Sequence, residues 1–323
     1  MADLHPESTT DDVLGDTRLD GRRAIVTGAS SGLGEETARA LAARGALVTM
    51  AARNADKNAA AAERIRASDP DASLQLLDLD LADLASVRRF ADQYRSGADA
   101  VDMLINNAGV MVCPFGHTAD GFEMQFGTNH LGHFLLTALL ADAVAAGDQP
   151  RVVTVSSAAH LISDVDLDDP GFETTDYDAW ISYGRSKSAN ALFAFELAGR
   201  MADRGVLSYS VHPGMVATEL ARHMTEELMG QMISRISERT ADAKEQGDGD
   251  SATASMPAMR TPAVGAATQV WAATSSDLAD ASGRYLLDCH VGSAPDAAPH
   301  ISDTDTAARL WSLSEELVGQ SFA

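Results

Sequence analysis

A glycine-rich segment follows directly after the first apolar run of the chain. Ala24 to Val26 is that run, and it leads into Thr27 to Gly34, which reads TGASSGLG. Glu35 to Arg44 is rich in alanine with helical spacing, Gly45 ends it, and Leu47 to Met50 is apolar again. A strand, a glycine turn, a helix and a second strand in so short a span predict a βαβ unit. The unit requires a parallel sheet, because a crossover helix joins parallel strands.

The alternation of short apolar runs and amphipathic segments continues along the chain. Each apolar run has the length of a buried strand, and each segment between them has helical spacing. After the first unit the pattern predicts a helix over 56–67, a strand over 74–77, a helix over 84–95, a strand over 103–105, a helical region over 122–146 bent at Gly127 or Gly132, a strand over 151–155, a helix over 183–202, strands over 207–211 and 283–287, and a helix over 306–317. We therefore predict an α/β fold with a single doubly wound, Rossmann-type domain, in which helices cover both faces of a mostly parallel sheet.

Two segments depart from this alternation. Residues 1–20 are polar and acidic without periodicity, so they are predicted to form a flexible tail before a single domain over 21–323. Residues 222–262 are rich in Met, Glu, Ser and Gly. Their first half predicts amphipathic helices and their second half a mobile loop. A long excursion in a compact domain is typically either disordered or a functional lid.

The glycine-rich turn is a candidate phosphate site. Glycine lets the backbone approach a phosphate closely, and the following helix presents free N–H groups and the positive end of its dipole. The spacing is GxxxGxG rather than the more common GxGxxG, and a turn without any ligand is the alternative interpretation.

The end of the second predicted strand carries a base at the position where NAD-preferring folds carry an acid. Met50 to Arg53 reads MAAR, and the Arg53 guanidinium suits the 2′-phosphate of NADP through a charge-assisted contact. NADP is therefore favoured over NAD as the cofactor, with a solvent-exposed surface arginine as the alternative. Asp80, just beyond the third predicted strand, is placed to accept a hydrogen bond from an adenine amino group.

Tyr183 and Lys187 are a candidate proton-transfer pair. They are four residues apart in a predicted helix, which puts both side chains on one face with Cβ atoms roughly 5–6 Å apart. The pKa of a phenol is about 10. A nearby ammonium lowers that pKa, so that a proton can be exchanged near neutral pH. Ser156 and Ser157 follow the strand over 151–155, at the sheet edge where ligands bind. The alternatives are a purely structural Tyr–Lys pair and serines that only form a turn.

Charge and composition exclude several kinds of partner. The chain has 47 acidic and 24 basic residues and a net charge of −23, so it repels nucleic acid and anionic membrane surfaces. Cys113 and Cys289 provide neither a disulfide framework nor the spacing of a metal site, and no metal is predicted. Residues 1–20 lack the basic n-region and the apolar h-region of a signal peptide. The most apolar stretch, 131–147, is too short and too polar to span a bilayer. A cytoplasmic protein is expected.

Six motifs in a fixed order resemble those of the short-chain dehydrogenase/reductase family. They are TGASSGLG at 27–34, NNAG at 106–109, Asn129, VSS at 155–157, YGRSK at 183–187 and HPG at 212–214. Any one of them is weak evidence, but the ordered set is highly specific, and the resemblance covers roughly residues 20–320. Segments 104–137, 210–220 and 288–291 are similar to the branch that contains retinol dehydrogenases and the WW-domain oxidoreductase.

The resemblance implies a role for each matched residue. Tyr183 is implied as the general acid/base and Lys187 as the residue that lowers its pKa and holds the nicotinamide ribose. Ser157, rather than Ser156, is implied to position the substrate oxygen, and Asn129 to complete a catalytic tetrad and proton relay. The cofactor-binding residues implied are Gly28, Ser30, Ser31, Gly32, Leu33 and Gly34 at the pyrophosphate, Asn107, Ala108 and Gly109 on the adenosine side, Pro213, Gly214 and Thr218 at the nicotinamide, together with Arg53, Asp80 and Leu81.

These expectations combine into an NADP-dependent oxidoreductase that moves a hydride between the nicotinamide and the carbonyl or alcohol carbon of an apolar small molecule. The excursion over 222–262 matches the variable substrate-binding segment of the family. A homodimer or homotetramer is also implied by the family. The side chains expected to help line an apolar pocket are Met224, Leu228, Met229, Met232 and Ile233.

Three other functions remain open from the sequence. One is a reductase of C=C bonds on the same scaffold. Another is a regulatory protein that binds the cofactor without turnover, although the combination of Ser157, Tyr183 and Lys187 argues against it. A serine hydrolase is the third, and it is disfavoured because Ser157 does not lie in a GxSxG elbow.

Overall fold

The computed structural model describes the backbone of residues 4–245, 259–293 and 296–322, with the side chains of these residues except those of 236–245. The helices are α1 (Thr10–Leu14), α2 (Gly32–Ala42), α3 (Ala55–Ser68), α4 (Leu84–Gly97), α5 (Met124–Phe126), α6 (Gly132–Ala145), α7 (Ala179–Arg200), α8 (Glu226–Glu245), α9 (Pro262–Gly265), α10 (Ala267–Thr274) and α11 (Thr304–Val318). The strands are β1 (Arg23–Thr27), β2 (Leu47–Ala52), β3 (Leu74–Asp78), β4 (Met103–Asn106), β5 (Arg151–Val155), β6 (Leu207–His212), β7 (Tyr285–Leu287) and β8 (His290–Val291).

The described strands form one sheet in the order β3-β2-β1-β4-β5-β6-β7-β8. All neighbouring strands are parallel except β7 and β8, which are antiparallel. The chain therefore winds outward from β1 in one direction and from β4 in the other. Such a reversal of strand order opens a crevice at the carboxyl ends of the two central strands. The predicted doubly wound α/β fold is confirmed.

Both faces of the central strands are buried, which explains why they read as continuous apolar runs. Ile25 and Leu104 point into a core shared with α4, α6, α7 and α11. Their neighbours Val26 and Ile105 point the opposite way, into a core shared with α2 and α10. Since successive side chains of a strand alternate between faces, each central strand contributes to both cores.

The helical region predicted over 122–146 is interrupted where the two glycines suggested a bend. A π-helical turn, Gly127–Leu131, separates α5 from α6. A Cβ at Gly127 would lie 2.5 Å from Thr118 Cγ2, and one at Gly132 would lie 2.5 Å from the Leu81 carbonyl oxygen. Glycine therefore allows close packing on both sides of the turn. Single π turns within helices occur frequently at functional sites, and this one carries Asn129.

The prediction of a flexible tail over residues 1–20 is wrong for the residues that the structure describes there. Thr9 and Asp12 form a reciprocal capping box that starts α1. Leu14 and Leu19 are buried in the core beside α2 and α10. The helix α1 is too short to produce a periodic pattern, so the sequence did not reveal it. The helix α10 and the strand β8 were missed as well.

The segment predicted as an excursion begins with helical structure. The helix α8 occupies most of its first half, as expected. The predicted loop in its second half lies mainly outside the described residues. Among the described helices, none combines the length and apolar character that a bilayer-spanning segment requires.

The packing of α1 predicts a stability effect that a flexible tail would not show. Leu14 is 1% exposed, so Leu14→Ala should lower the free energy of unfolding by about 2–4 kcal/mol. The exposed neighbour Thr17 provides the control, and Thr17→Ala should change it by less than about 0.5 kcal/mol. Urea denaturation followed by circular dichroism measures both. Equal stability of the two variants would contradict the packing of α1.

Candidate active site

Three glycines shape the turn between β1 and α2. Gly28 and Gly32 have φ angles of +66° and +58°, a region that L-residues with side chains seldom occupy. A Cβ at Gly34 would lie 2.3 Å from the carbonyl oxygen of Gly28. The turn therefore brings bare backbone to the N-terminus of α2, where free N–H groups favour an anion.

Thr27 fixes this turn against the end of β4. Its hydroxyl oxygen accepts hydrogen bonds from the backbone N–H groups of Asn107 and Ala108, both at 2.9 Å. The Asn107 side chain donates back to the Thr27 carbonyl oxygen at 2.8 Å. The hydroxyl also contacts His133 Nε2 at 2.9 Å. Thr27 was not among the predicted site residues, although it is the first residue of the glycine-rich motif.

A cleft of about 440 Å³ runs along the carboxyl edge of the sheet from this turn. It follows the ends of β1, β2, β3 and β4 and thus coincides with the crevice at the switch point. The structure brings together here most of the residues predicted to bind the cofactor. These are Gly28, Ser30, Ser31, Gly32, Leu33, Gly34, Arg53, Asp80, Leu81, Asn107, Ala108, Gly109 and Thr218.

Other residues of the same cleft were not predicted. Asn54 and Lys57 continue the lining beyond Arg53, and Val110 and Thr128 extend it on the opposite side. Lys57 pairs with Glu219 at 2.8 Å. No local motif marks these residues, because the fold brings them to the cleft from separate segments. The remaining members are Ala52, Leu79, Glu219, Leu220 and Arg222.

The cleft fits an extended dinucleotide. The bare glycine backbone suits a pyrophosphate, and the Arg53 guanidinium at the end of β2 suits a further phosphate. Asp80, at the end of β3, supplies an acceptor on the same side of the switch point. In the part of the chain with described side chains, no group of three or more His, Cys, Asp or Glu could hold a metal ion.

Tyr183 and Lys187 are both buried on α7, with 4% and 3% of their surfaces exposed. The Lys187 Nζ lies 5.6 Å from the centroid of the Tyr183 ring and donates to the Val155 carbonyl oxygen at 2.9 Å. That carbonyl ends β5, so the lysine joins the helix to the carboxyl edge of the sheet.

The two serines after β5 have different surroundings. The Ser157 hydroxyl accepts from the Ala159 N–H at 3.1 Å, and Ser157 is near enough to Tyr183 to lower the pKa of the phenol. Ser156 instead donates to the Lys187 carbonyl oxygen at 2.7 Å, which is a purely structural contact. Ser157 is therefore the one of the two serines that acts on the phenol, whereas Ser156 ties the end of β5 to α7.

Burial dominates the protonation of the pair. It raises the pKa of Tyr183 to about 12, and the hydrogen bond with Ser157 opposes this shift. Burial also lowers the pKa of Lys187 to about 7. Removal from water penalises the charged form of both groups, and this effect outweighs the lowering of the phenol pKa that was expected from the ammonium.

Asn129 lies close to this pair through the π-helical turn. Its amide oxygen accepts from the Val110 N–H at 2.8 Å, and its amide nitrogen donates to the Val110 carbonyl at 2.9 Å and to Ser186 Oγ at 3.0 Å. A Cβ at Gly109 would lie 3.1 Å from the Asn129 amide oxygen and 3.7 Å from Lys187 Nζ. The absence of a side chain at position 109 therefore lets these groups converge.

The other side of Tyr183 is apolar. Val112, Ala159 and Trp180 form a buried cluster with the tyrosine. Of the residues expected to line an apolar pocket, Met224, Leu228 and Met232 pack against this cluster, whereas Ile233 is 47% exposed.

Trp180 and a salt bridge join α8 to the start of α7. The Trp180 indole N–H donates to the Leu228 carbonyl oxygen at 3.0 Å, and Arg235 pairs with Asp178 at 2.7 Å. The sequence did not single out Trp180, since an aromatic residue at helical spacing is typical of an ordinary core.

Gln125 organises the wall behind this apolar cluster. Its amide oxygen accepts from the N–H of Val112, a residue held at φ +43°. Its amide nitrogen contacts Tyr177 Oη and Ser182 Oγ, both at 3.0 Å, and the Ala179 carbonyl oxygen at 2.9 Å. Nothing in the sequence marked this buried glutamine, because its role depends on contacts across distant segments.

Pro213, Gly214 and Thr218 lie in the loop after β6. Thr218 lines the cleft and contacts the glycine turn, since a Cβ at Gly32 would lie 3.0 Å from its Cγ2. Gly214, at φ +77°, lies under the guanidinium of Arg260. The loop therefore extends from the end of β6 to the glycine turn.

A glycine turn at a sheet switch point beside a buried Tyr–Lys pair is the architecture of a dinucleotide-dependent α/β oxidoreductase. The family model described as short chain dehydrogenase matches residues 22–229. Retinol dehydrogenase 12 from Homo sapiens is 39% identical over 303 residues, which cover 94% of this chain and 88% of that protein. Retinol dehydrogenase 13 from Homo sapiens is 40% identical over 308 residues, which cover 93% and 86%.

Two solved structures are also similar to this chain. An uncharacterized protein from Mycobacterium paratuberculosis is 34% identical with a TM-score of 0.73, covering 96% of this chain and 98% of that one. A gluconate 5-dehydrogenase from Burkholderia cenocepacia, solved with NADP and tartrate, is 24% identical with a TM-score of 0.60, covering 85% and 96%. The second likeness shows the fold alone. The chain belongs to the short-chain dehydrogenase family, whose members are oxidoreductases that act on alcohol or carbonyl groups.

The lowered pKa of Lys187 predicts how stability depends on pH. The folded value is about 7 against an ordinary value of 10.5, so between these values the unfolded chain binds the extra proton. Folding is therefore penalised most below pH 7, and the penalty disappears as the pH rises toward 10.5. Relative to Lys187→Met, the wild-type protein should gain on the order of 1 kcal/mol of stability per pH unit in this window. Urea denaturation at pH 7.5 and pH 9 measures the difference, and a constant difference would refute the shift.

Proposed function

We propose that the protein is an NADP-dependent oxidoreductase that interconverts an alcohol and a carbonyl group of an apolar small molecule, with Tyr183 as general acid/base. The observation that carries the proposal is the buried pair of Tyr183 and Lys187 on α7, close to a cleft that is lined by bare glycine backbone. Membership of the family supports it.

Each polar group has a defined task in this reaction. A bound nicotinamide supplies or accepts the hydride. Ser157 Oγ holds the substrate oxygen, and Tyr183 Oη gives that oxygen a proton in reduction or takes one from it in oxidation. Lys187, with a pKa of about 7, is acidic enough in its ammonium form to return a proton to the Tyr183 phenolate after reduction of the substrate. Asn129 holds the backbone at Val110 and thereby positions the wall of the cleft next to the lysine.

An apolar substrate is supported by the surroundings of the phenol. Met224, Leu228 and Met232 face the cluster around Tyr183, and flexible side chains of this kind adapt to varied apolar shapes. The names of the relatives, retinol dehydrogenases, support an alcohol or aldehyde on an apolar skeleton.

The central prediction concerns the phenol oxygen. Tyr183→Phe should lower kcat by at least about 1,000-fold, because the proton donor is lost. Cofactor affinity should stay within about threefold of the wild-type value, since the ring remains in place. Tyr94 is a buried tyrosine whose hydroxyl bonds to the Ala100 carbonyl, so Tyr94→Phe is the control and should retain turnover. Near-normal turnover of Tyr183→Phe on a panel of apolar alcohols and ketones would refute the mechanism.

The preference for NADP rests on Arg53. Arg53→Ala should weaken NADP binding about tenfold or more while changing NAD binding little, because only NADP carries the 2′-phosphate. Isothermal titration calorimetry measures both affinities. Arg95 on α4 pairs with Asp92 away from the cleft, so Arg95→Ala should leave both unchanged. Equal loss of NADP and NAD affinity in Arg53→Ala would argue against 2′-phosphate recognition.

The C=C reductase and the regulator without turnover are separated from this proposal by product analysis. A nicotinamide labelled at C4 should deliver its label to a carbinol carbon, whereas a C=C reductase would place the label on a former alkene carbon. Binding without any product across the panel would favour the regulator.

The homodimer or homotetramer implied by the family remains a prediction. The helix α11 packs against α6 and α7, so it covers part of the surface of both helices. Trp311 packs against Phe134 and Phe193 at ring-centroid distances of 5.1 and 5.8 Å, and Phe322 covers Trp311 at 4.4 Å. We expect the active protein in the cytoplasm, in keeping with its acidic composition and with two buried cysteines that form no disulfide with each other.

A further inference from the structure

The turn between β7 and β8 has an unusual backbone. Asp288 and Cys289 are its two central residues, with φ angles of +50° and +56°. Leu287 and His290 pair across the antiparallel strands on either side of them. A two-residue turn with two positive φ angles normally carries Asn-Gly or Asp-Gly, and Cys is disfavoured at the second position. Such a strained turn persists only where its surroundings hold it in place.

Two contacts hold this turn. The Asp288 carboxylate pairs with the Arg260 guanidinium, and the two side chains are only 21% and 17% exposed. The Cys289 N–H donates to the hydroxyl of Thr268 on α10 at 3.2 Å. The carboxylate is therefore directed at one particular arginine rather than at solvent.

Arg260 holds the loop after β6 with both its backbone and its side chain. Its N–H donates to the Met215 carbonyl oxygen at 2.8 Å, and its own carbonyl accepts from the Ala217 N–H at 3.4 Å. Its guanidinium covers Gly214, where a Cβ would lie 2.7 Å from Nη1. Because a side chain at position 214 would displace the guanidinium, the glycine and the arginine depend on each other.

The loop held in this way lies on the reactive side of the cleft. It follows β6, which pairs with β5 in the register Val155 to Val211, so it starts beside Ser157. It ends at Thr218 against the glycine turn. Arg53 and Asp80 lie at the ends of β2 and β3, on the other side of the switch point.

We propose that Arg260 and Asp288 form a clamp that positions the loop over 213–218 against the nicotinamide half of the bound dinucleotide. Both are positioning residues, because they act through the loop and not by touching the reacting atoms. The proposal rests on the proposed function, since it assumes that the cleft takes a nicotinamide dinucleotide. The clamp also assigns a role to the motif over 288–291, which contains Asp288 and has no role in the catalytic site.

The test compares a complete ligand with half of it. Asp288→Asn removes the charge but keeps a residue that tolerates a positive φ. NADP⁺ should bind this variant about tenfold more weakly, because the loop at its nicotinamide end is misplaced. The adenosine half alone, 2′,5′-ADP, should bind within about twofold of wild type, since it contacts only the Arg53 side. Isothermal titration calorimetry on the full-length protein measures both affinities.

Two further variants serve as a control and as a second test of the clamp. Asp142 pairs with Arg204 on an exposed surface, so Asp142→Asn should leave both affinities unchanged. If Asp288→Asn does not fold, Arg260→Lys keeps the positive charge but loses the flat guanidinium that covers Gly214, and it should show the same selective loss.

The outcomes separate the clamp from the proposed function. Selective loss of NADP⁺ affinity supports the clamp. Unchanged affinity for NADP⁺, or an equal loss for NADP⁺ and 2′,5′-ADP, overturns it. A wild-type protein that binds neither ligand would instead overturn the dinucleotide site and with it the proposed function.

Discussion

The burial of one lysine is the constraint around which the site is organised. Lys187 has 3% of its surface exposed and donates to the carbonyl that ends β5. A buried ammonium is costly unless polar groups surround it, and both Lys187 and the amide oxygen of Asn129 lie against the bare backbone of Gly109. Sheet, helix and π-helical turn must therefore meet at this point. Burial at this point lowers the pKa of Lys187 to about 7 and raises the pKa of Tyr183 to about 12.

The glycine turn contributes a second, independent constraint. Three hydrogen bonds between Thr27 and the residues after β4 fix the backbone of the turn in position. The turn can therefore present its N–H groups to a ligand. The loop after β6 touches the turn at Gly32 and is held by Arg260. The two halves of the cleft are thus joined by packing between the two loops. A displacement of either loop would therefore also shift the other.

The sequence predicted the features that depend on local patterns. Continuous apolar runs identified the buried strands, glycine spacing identified the turn, and the interval between Tyr183 and Lys187 placed both side chains on one helical face. The bend near Asn129 followed from two glycines. Contacts between distant segments were not predictable: α1 has too few residues to be periodic, no pattern marked Trp180 or Arg260, and the motif that contains Asp288 did not reveal its arginine partner. The pKa of Tyr183 was expected to fall because the lysine was considered without the burial that shifts both groups.

A crystal structure with NADP⁺ bound tests the central claim most directly. The account predicts the pyrophosphate at the turn over 27–34, the adenosine on the Arg53 side, and the nicotinamide ring in contact with the buried pair and the loop over 213–218. The phenol oxygen of Tyr183 should then face the position of a substrate oxygen beside Ser157. A dinucleotide bound elsewhere, or a nicotinamide directed away from Tyr183 and Lys187, would contradict the account.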